Sequence, residues 1–155
     1  MKVLFTHSYF LRFDKKQWEQ RKPYPPLATI QAASNLRSKD HSVELFDTNF
    51  ATGAAEIAPY LEEKPDYLVI YDDGFNYLTK MCLTNMREAA YEMIQMAKAL
   101  NIMVFVSSSD STDHYADYLN KGADAVMLGE ADQTLSELIE KGTNWKECSG
   151  IAYLK

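Results

Sequence analysis

Apolar and polar positions alternate in blocks along the chain, and four short apolar runs each end abruptly in a polar cluster. The runs at 2–5, 66–71, 102–106 and 125–128 lead into Thr6-His7-Ser8, Asp72-Asp73-Gly74, Ser107-Ser108-Ser109-Asp110 and Gly129-Glu130. If the runs are parallel strands, all four clusters lie at the carboxyl edge of one sheet. Ligands of open α/β sheets bind at that edge, near the point where the strand order reverses. The pattern therefore predicts a binding site there.

Stretches with helical periodicity separate these runs. Leu27, Ile30, Ala33 and Leu36 recur at helical spacing after Pro25-Pro26, and proline is tolerated in the first turn of a helix because its missing N–H has no partner there. A second stripe predicts a long helix over about 79–100, formed by Leu83, Met86, Ala90, Ile94 and Ala97.

Weaker signals complete the predicted elements. We expect a second strand at 42–46, a short helix at 54–63 that Pro59 interrupts or restarts, and a helix at 114–120 closed by Gly122. Thr134 and Glu137 form a capping-box pattern for a helix reaching about Lys141. A last short strand is predicted at 150–154.

Together these elements predict one α/β domain over residues 1–155. Nearly wholly apolar strands that alternate with helices indicate a sheet covered on both faces. We therefore expect a doubly wound, mainly parallel sheet of five to six strands, Rossmann-like or flavodoxin-like, with strand order 2-1-3-4-5.

Composition and charge exclude several function classes. The chain has 155 residues, 46% of them hydrophobic, and a formal net charge of −6 with dispersed basic residues, which argues against a nucleic-acid partner. The sequence has no apolar run of about 18 residues, and its start is typical of a strand and not of a signal peptide. We expect no membrane span and a cytoplasmic protein. Cys82 and Cys148, the two cysteines, predict neither a disulfide framework nor a cysteine metal motif.

The acidic and serine clusters each allow two interpretations. Asp72 and Asp73 could hold a metal, act as acid and base, or bind ligand hydroxyls and amides, although two carboxylates before Gly74 are also common in turns and caps. The serines at 107–109 allow a bulky ligand to approach closely, or they form a polar loop that caps the next helix. Gly129-Glu130 also allows two interpretations: the backbone approaches a ligand closely, or these residues cap a helix.

His7 and the segment after it are the remaining candidates. His7 follows the first strand, so it is either an axial metal ligand or proton donor, or a hydrogen-bonded structural residue. The long loop from Ser8 to Tyr24 is rich in aromatic residues and is expected to cover a ligand or a partner domain. The chain contains no Gly-x-Gly-x-x-Gly and no Gly-x4-Gly-Lys-Ser/Thr motif, which disfavours dinucleotide and P-loop sites.

Several short motifs in a fixed order resemble the N-terminal cobalamin-binding domain of B12-dependent radical SAM enzymes. They are Tyr24-Pro25-Pro26-Leu27, Phe46-Asp47, Lys64-Pro65-Asp66, Gly122-Ala123-Asp124, Leu128-Gly129-Glu130 with Thr134, and Gly150-Ile151-Ala152-Tyr153. The resemblance covers nearly the whole chain. The chain departs from the resemblance in two respects, each of them a motif that it lacks. The Asp-x-His-x-x-Gly sequence that supplies a lower cobalt ligand in the methionine-synthase type is absent, as is the Cys-x3-Cys-x2-Cys cluster motif.

The resemblance implies a cobalamin-binding module truncated from a larger enzyme. S-adenosylmethionine and a 4Fe-4S cluster would bind only in a downstream radical SAM domain, which would be the partner of this module, and the metal-binding residues stay unassigned. The cofactor-binding residues are predicted to be Thr6, His7, Ser8, Tyr9, Tyr71, Asp72, Asp73, Gly74, Ser107, Ser108, Ser109, Gly129 and Glu130.

Two other classes of function remain open. The chain could be a stand-alone hydrolase or transferase in which Asp72, Asp73 and His7 act as acid and base. It could also be a cofactor-free regulatory or interaction domain. Whether the chain is itself an enzyme is therefore undecided at the level of sequence.

Overall fold

The computed structural model describes residues 1–73 and 83–155. Within them, six strands form one sheet: β1 (Lys2–Thr6), β2 (Ser42–Phe46), β3 (Tyr67–Tyr71), β4 (Met103–Ser107), β5 (Ala125–Met127) and β6 (Ile151–Ala152). Their order is β2-β1-β3-β4-β5-β6. The first five strands are parallel, and β6 pairs antiparallel with β5. The predicted α/β fold and its 2-1-3-4-5 order are confirmed, with an antiparallel edge strand added.

The helices lie on both faces of this sheet. They are α1 (Lys15–Gln20), α2 (Leu27–Arg37), α3 (Ala58–Glu62), α4 (Leu83–Ala99), α5 (Ser109–Asp113), α6 (Tyr115–Asn120) and α7 (Asp132–Lys141). Short 3-10 turns occur at Leu11–Phe13, Thr48–Phe50, Ala54–Ile57 and Gly142–Glu147. As predicted, Pro59 restarts a helix, because it lies in the first turn of α3 directly after a 3-10 turn. In the described parts of the chain, no helix is long and apolar enough to cross a membrane.

Alternate strand residues pack into two separate cores. Leu68 and Val104 face one side of the sheet, where Ile94 of α4 is buried. Val69 and Phe105 face the other side, where they join Leu36 of α2 and further residues of α7. Because period-2 side chains are apolar in both directions, the strands are buried on both faces, as the sequence predicted.

Two aspartates at the amino edge of the sheet fix the strand register. Asp66 Oδ2 accepts a hydrogen bond of 2.7 Å from the backbone N–H of Lys2, and the N–H of Asp66 donates to the carbonyl of Lys2 at 2.9 Å. Asp124 makes the same pair of bonds with Val104, at 2.7 and 2.9 Å. The Lys64-Pro65-Asp66 and Gly122-Ala123-Asp124 motifs are therefore structural devices that align a strand with its neighbour.

Two helix starts differ from the sequence prediction. α5 was not expected as a separate helix; Ser108 caps it in a reciprocal capping box with Ser111. The predicted capping box of Thr134 and Glu137 is wrong, because α7 already begins at Asp132 and Ala131 occupies the cap position without a side-chain bond. Thr134 and Glu137 thus lie inside the helix.

Candidate functional site

A small cavity, with a volume of about 10 Å³, lies at the carboxyl edge of the sheet, between the ends of β1, β3 and β4 and the side of α4. β2 and β3 flank β1 on opposite sides, so the strand order reverses here, and such a switch point is the usual ligand position in open α/β sheets. Residues that line the cavity are Ser8, Asp72, Asp73, Leu83, Met86, Arg87, Ser108, Ser109, Asp110 and Tyr118.

Ser8 and Asp72 connect the ends of β1 and β3. The backbone N–H and the hydroxyl of Ser8 donate to Asp72 Oδ1 and Oδ2, both at 2.6 Å. The N–H of Asp72 donates to the carbonyl of Ser107 at 2.8 Å, which ties in β4. Burial raises the pKa of Asp72, and the two bonds from Ser8 only partly oppose that rise. Asp72 is thus a carboxyl group that is held rigidly and takes up a proton more readily than usual.

Asp110 lies on the other side of the same cavity in a different electrostatic setting. Arg87 grips it in bidentate fashion, with Nε to Oδ2 at 2.8 Å and Nη2 to Oδ1 at 2.5 Å. The Tyr118 hydroxyl donates to Oδ2 at 2.8 Å. Burial would raise the pKa of Asp110, but the bonds from Arg87 and Tyr118 outweigh it and hold the pKa below its ordinary value. Asp110 is therefore ionised.

Two carboxyl groups with opposed pKa shifts thus line one cavity. Burial raises the pKa of Asp72, whereas the bonds from Arg87 and Tyr118 lower the pKa of Asp110. Such a pair can donate a proton or hydrogen bond at one position and accept at the other. The arrangement suits the recognition of amide and hydroxyl groups, and it also suits acid–base chemistry.

A second groove continues the carboxyl edge towards β5. Its volume is about 480 Å³, and it is lined by Ser108, Ser109, Thr112, Asp113, Gly129 and Glu130. Ser108 and Ser109 also line the first cavity, so the two spaces form one continuous edge. Gly129 has φ of 72°, and a Cβ built on it would meet nothing within 4 Å. The backbone there faces open space, with its N–H 3.4 Å from the Thr112 hydroxyl.

Seven of the predicted residues come together along this edge. They are Ser8, Asp72, Asp73, Ser108, Ser109, Gly129 and Glu130. Besides Ser8 and Asp72, which bind each other, two more of the seven have local structural roles. Ser108 caps α5, and Asp73 Oδ2 lies 3.4 Å from the N–H of Ala28 at the start of α2. The capping interpretation of the serine cluster is therefore correct for Ser108, and Ser109 is the exposed serine of that cluster.

Five predicted residues lie inside the protein instead. Thr6, His7, Tyr9, Tyr71 and Ser107 are all buried. Gly74 lies outside the described residues. Because side chains alternate along a strand, residues at the end of a buried strand point into the cores as often as towards the edge. A polar residue type alone does not show which way it points.

His7 is a hydrogen-bonded structural residue in this fold. Its ring is fully buried, with Nε2 2.8 Å from Asp47 Oδ1 and Nδ1 3.1 Å from the Thr48 hydroxyl. Thr48 also donates to the carbonyl of Tyr9 at 2.6 Å. The histidine therefore links the ends of β1 and β2 and presents no nitrogen to the carboxyl edge. Asp47, which belongs to the Phe46-Asp47 motif, is the partner of His7 Nε2.

The side chains of the two predicted tyrosines pack in the hydrophobic interior. Tyr9 packs with Leu11 and Met86, and its hydroxyl lies 3.1 Å from Asp14 Oδ2. Tyr71 points to the opposite face of the sheet, where its hydroxyl donates to Asp132 Oδ1 at 2.7 Å. Neither side chain lines the cavity.

Sequence reasoning missed Arg87 and Tyr118. Arg87 carried a usable signal, because it lies four residues after Leu83 and three before Ala90, on the apolar stripe of α4. A cation on a buried helix face needs a carboxylate partner. Tyr118 carried no such signal, since its helix is only six residues long. In the two described segments, 1–73 and 83–155, no group of three or more histidine, cysteine, aspartate or glutamate side chains could hold a metal ion.

Comparisons with known proteins identify no family for this chain. No family model matches the chain, and no curated protein matches it. Among solved structures, it is similar to the crystal structure of a conserved domain protein from Vibrio cholerae O1 biovar eltor str. N16961, with 14% sequence identity and a TM-score of 0.45. The match covers 90% of this chain and 40% of that one. The chain thus spans less than half the length of that protein.

Proposed function

We propose that this domain is the cobalamin-binding module of a B12-dependent radical SAM enzyme, with the radical chemistry in a separate domain. One observation carries the proposal: a continuous carboxyl edge at the switch point of a doubly wound sheet, bordered by Ser109 and Gly129. Small side chains and exposed backbone allow a large, flat ligand to approach closely. The motif order that resembles this enzyme family supports the same conclusion.

The polar groups at the edge suit a corrin ring with amide arms. When protonated, Asp72 can donate to an amide carbonyl, whereas the ionised Asp110 can accept from an amide N–H. At Gly129 the backbone faces open space, which favours entry of the nucleotide tail there. When bound, cobalamin would supply a reactive cobalt, and these residues would bind and orient it. Assembly with a radical SAM domain and a cytoplasmic location remain part of this proposal.

The test is retention of hydroxocobalamin by the full chain during gel filtration, measured as corrinoid absorbance in the protein peak. Ser109→Trp should weaken binding by more than tenfold, about 1.4 kcal/mol, because Ser109 is exposed on the shared border of the two spaces. The control is Ser34→Trp, an exposed serine on α2, which should bind like the parent. Equal binding by all three proteins, or by none, would contradict the proposal.

A second function is favoured by one specific observation, the opposed pKa shifts of Asp72 and Asp110 in one cavity. A hydrolase or transferase would use Asp72 as the proton donor and Asp110 as the ionised partner. Turnover of chromogenic phosphate or carboxylate esters should then be detectable and should be lost in Asp72→Asn. Absence of turnover across both ester classes would eliminate this alternative.

A further inference from the structure

An apolar groove outside the carboxyl-edge site opens between the loop after β1 and the 3-10 turn after β2. Its volume is about 530 Å³, and its lining includes Leu11, Arg12, Trp18, Arg21, Asn49 and Phe50. It shares no lining residue with the cavity or the groove at the carboxyl edge. We call it the loop groove. Small-molecule sites usually have volumes of about 300–1,000 Å³, so its size fits such a ligand.

The walls of the loop groove are aromatic and unusually exposed. Phe50 is 77% exposed and Trp18 is 41% exposed. Two large aromatic side chains that border one concave space offer flat surfaces for a flat ligand. Exposed apolar surface of this kind is unfavourable in water, and a bound ring would remove it from the solvent.

Two arginines give the loop groove a positive rim. The Arg12 guanidinium lies 4.9 Å from the centre of the Trp18 ring, and Arg21 lines the groove beside it. Glu56 is within electrostatic reach of Arg12, and its carboxylate accepts hydrogen bonds from the N–H and hydroxyl of Thr52, which also lines the groove. This carboxylate offsets part of the positive charge of Arg12, whereas Arg21 adds a second cation to the rim. The chain as a whole carries a net charge of −6, so a positive rim is a local feature that complements an anion.

Asn49 supplies a directional contact. It is 4% exposed, and its Nδ2 donates to the Tyr24 carbonyl at 2.9 Å and to Asp47 Oδ1 at 3.0 Å. Both partners are acceptors, so the amide orientation is fixed and Oδ1 is the remaining atom. Among the described residues, Oδ1 accepts no hydrogen bond. A buried oxygen without a donor is unfavourable, and a ligand N–H or O–H would satisfy it.

We propose that the loop groove binds a planar aromatic anion that carries an N–H or O–H donor. The rings of Trp18 and Phe50 pack against the ligand's aromatic body, Arg12 and Arg21 bind its anionic group, and Asn49 Oδ1 accepts its hydrogen bond. This site is independent of corrinoid binding, because the two sites share no residue.

Three matched probes test each feature separately. Indole-3-acetate has a flat ring, a carboxylate and an N–H; 1-methylindole-3-acetate lacks the N–H, and indole-3-acetamide lacks the charge. Binding is followed by NMR at the indole N–H of Trp18, which a Trp18→Phe variant distinguishes from Trp145, the second tryptophan. Indole-3-acetate should saturate this signal, and each of the other two compounds should bind at least fivefold more weakly.

Variants locate the binding. Phe50→Ser and Arg21→Gln should each weaken indole-3-acetate binding at least fivefold, while Leu154→Ser, a change of another exposed apolar residue, should not. Protein saturated with hydroxocobalamin should bind the probe unchanged, which separates this site from the proposed function. Equal affinity for the three probes, no saturable shift at Trp18, or unchanged binding in Phe50→Ser would overturn the proposal.

Discussion

At the scale of single residues, the position of an aspartate relative to its strand decides what it does. Asp66 and Asp124 precede strands and bind the backbone of a neighbouring strand. Asp72 and Asp110 follow strands and line a cavity with their carboxyl groups. The first pair stabilises the register, whereas burial of Asp72 works against its ionisation. A buried carboxyl group that is costly to ionise is a common sign of a functional site.

Asp72→Asn should therefore stabilise the protein at neutral pH. The amide retains both contacts, with Oδ1 accepting from the Ser8 N–H and Nδ2 donating to the Ser8 hydroxyl. The pKa of Asp72 is raised in the folded state, so its penalty is absent below the unfolded pKa of about 3.9 and grows as pH rises through the folded pKa. The Tm difference between variant and parent should thus increase from pH 4 to pH 7. A difference that does not change with pH would contradict the raised pKa.

Asp110→Asn should have the opposite effect. Removing the carboxylate leaves Arg87 without its charge partner, which costs about 3–5 kcal/mol for a fully buried pair; we expect about 2 kcal/mol because the Arg87 side chain is 26% exposed. The pKa of Asp110 is lowered in the folded state, so its stabilisation is present above the unfolded pKa and is lost as pH falls through the folded pKa. Denaturant unfolding should show a larger loss at pH 7 than at pH 3.

The buried environment of His7 leads to a prediction about cobalt. Its Nε2 is held by Asp47, so we expect His7 to supply no nitrogen ligand to the cobalt of bound cobalamin. Labelling the protein's histidines with ¹⁵N avoids mutating a buried residue. The electron paramagnetic resonance spectrum of the reduced cob(II)alamin complex should be identical in ¹⁴N- and ¹⁵N-histidine protein. A changed hyperfine pattern would show that a histidine is the ligand.

At the scale of elements, helix ends depend on backbone geometry that only partly follows residue type. Gly122 ends α6 with φ of 112°, and a Cβ there would lie 3.1 Å from Lys98 Cγ. Gly122→Ala should therefore lower the free energy of unfolding by about 1–2 kcal/mol, measured by urea denaturation. The control is Gly53→Ala, because an added Cβ there meets nothing within 4 Å and its φ of −177° is ordinary extended backbone. An equal loss in both variants would refute the geometric cause.

Strands and long helices could be predicted from sequence because burial imposes a periodic pattern on them. The handedness of crossovers left two common strand orders, and the favoured one, 2-1-3-4-5, is the order observed. α5 could not be predicted, because Ser109–Asp113 contains no apolar residue and its start depends on hydrogen bonds between Ser108 and Ser111. Similarly, the capping pattern at Thr134 is present in the sequence, but the observed cap of α7 is Ala131, three residues earlier.

At the scale of the whole molecule, the sequence predicted the edge of the sheet at which the candidate site lies. It did not predict the contacts among the residues of that site. The carboxyl edge follows from strand direction alone. The pairing of Arg87 with Asp110, 23 residues apart on different elements, depends on how α4 packs over β4. In the same way, the burial of Tyr9 and Tyr71 depends on which face of the sheet each side chain occupies.

The two edges of the sheet are chemically different, so a ligand that binds at one edge should change the NMR signals of that edge alone. At the amino edge, Asp66 and Asp124 exchange hydrogen bonds with neighbouring strands, and Lys2 pairs with Glu63 at 2.6 Å. Adding hydroxocobalamin to ¹⁵N-labelled protein should therefore shift backbone amide signals near Ser109 and Gly129, while those near Asp66 and Asp124 stay in place. Shifts that spread equally over both edges, or that centre on the amino edge, would place the corrinoid elsewhere and remove the main support for the proposed function.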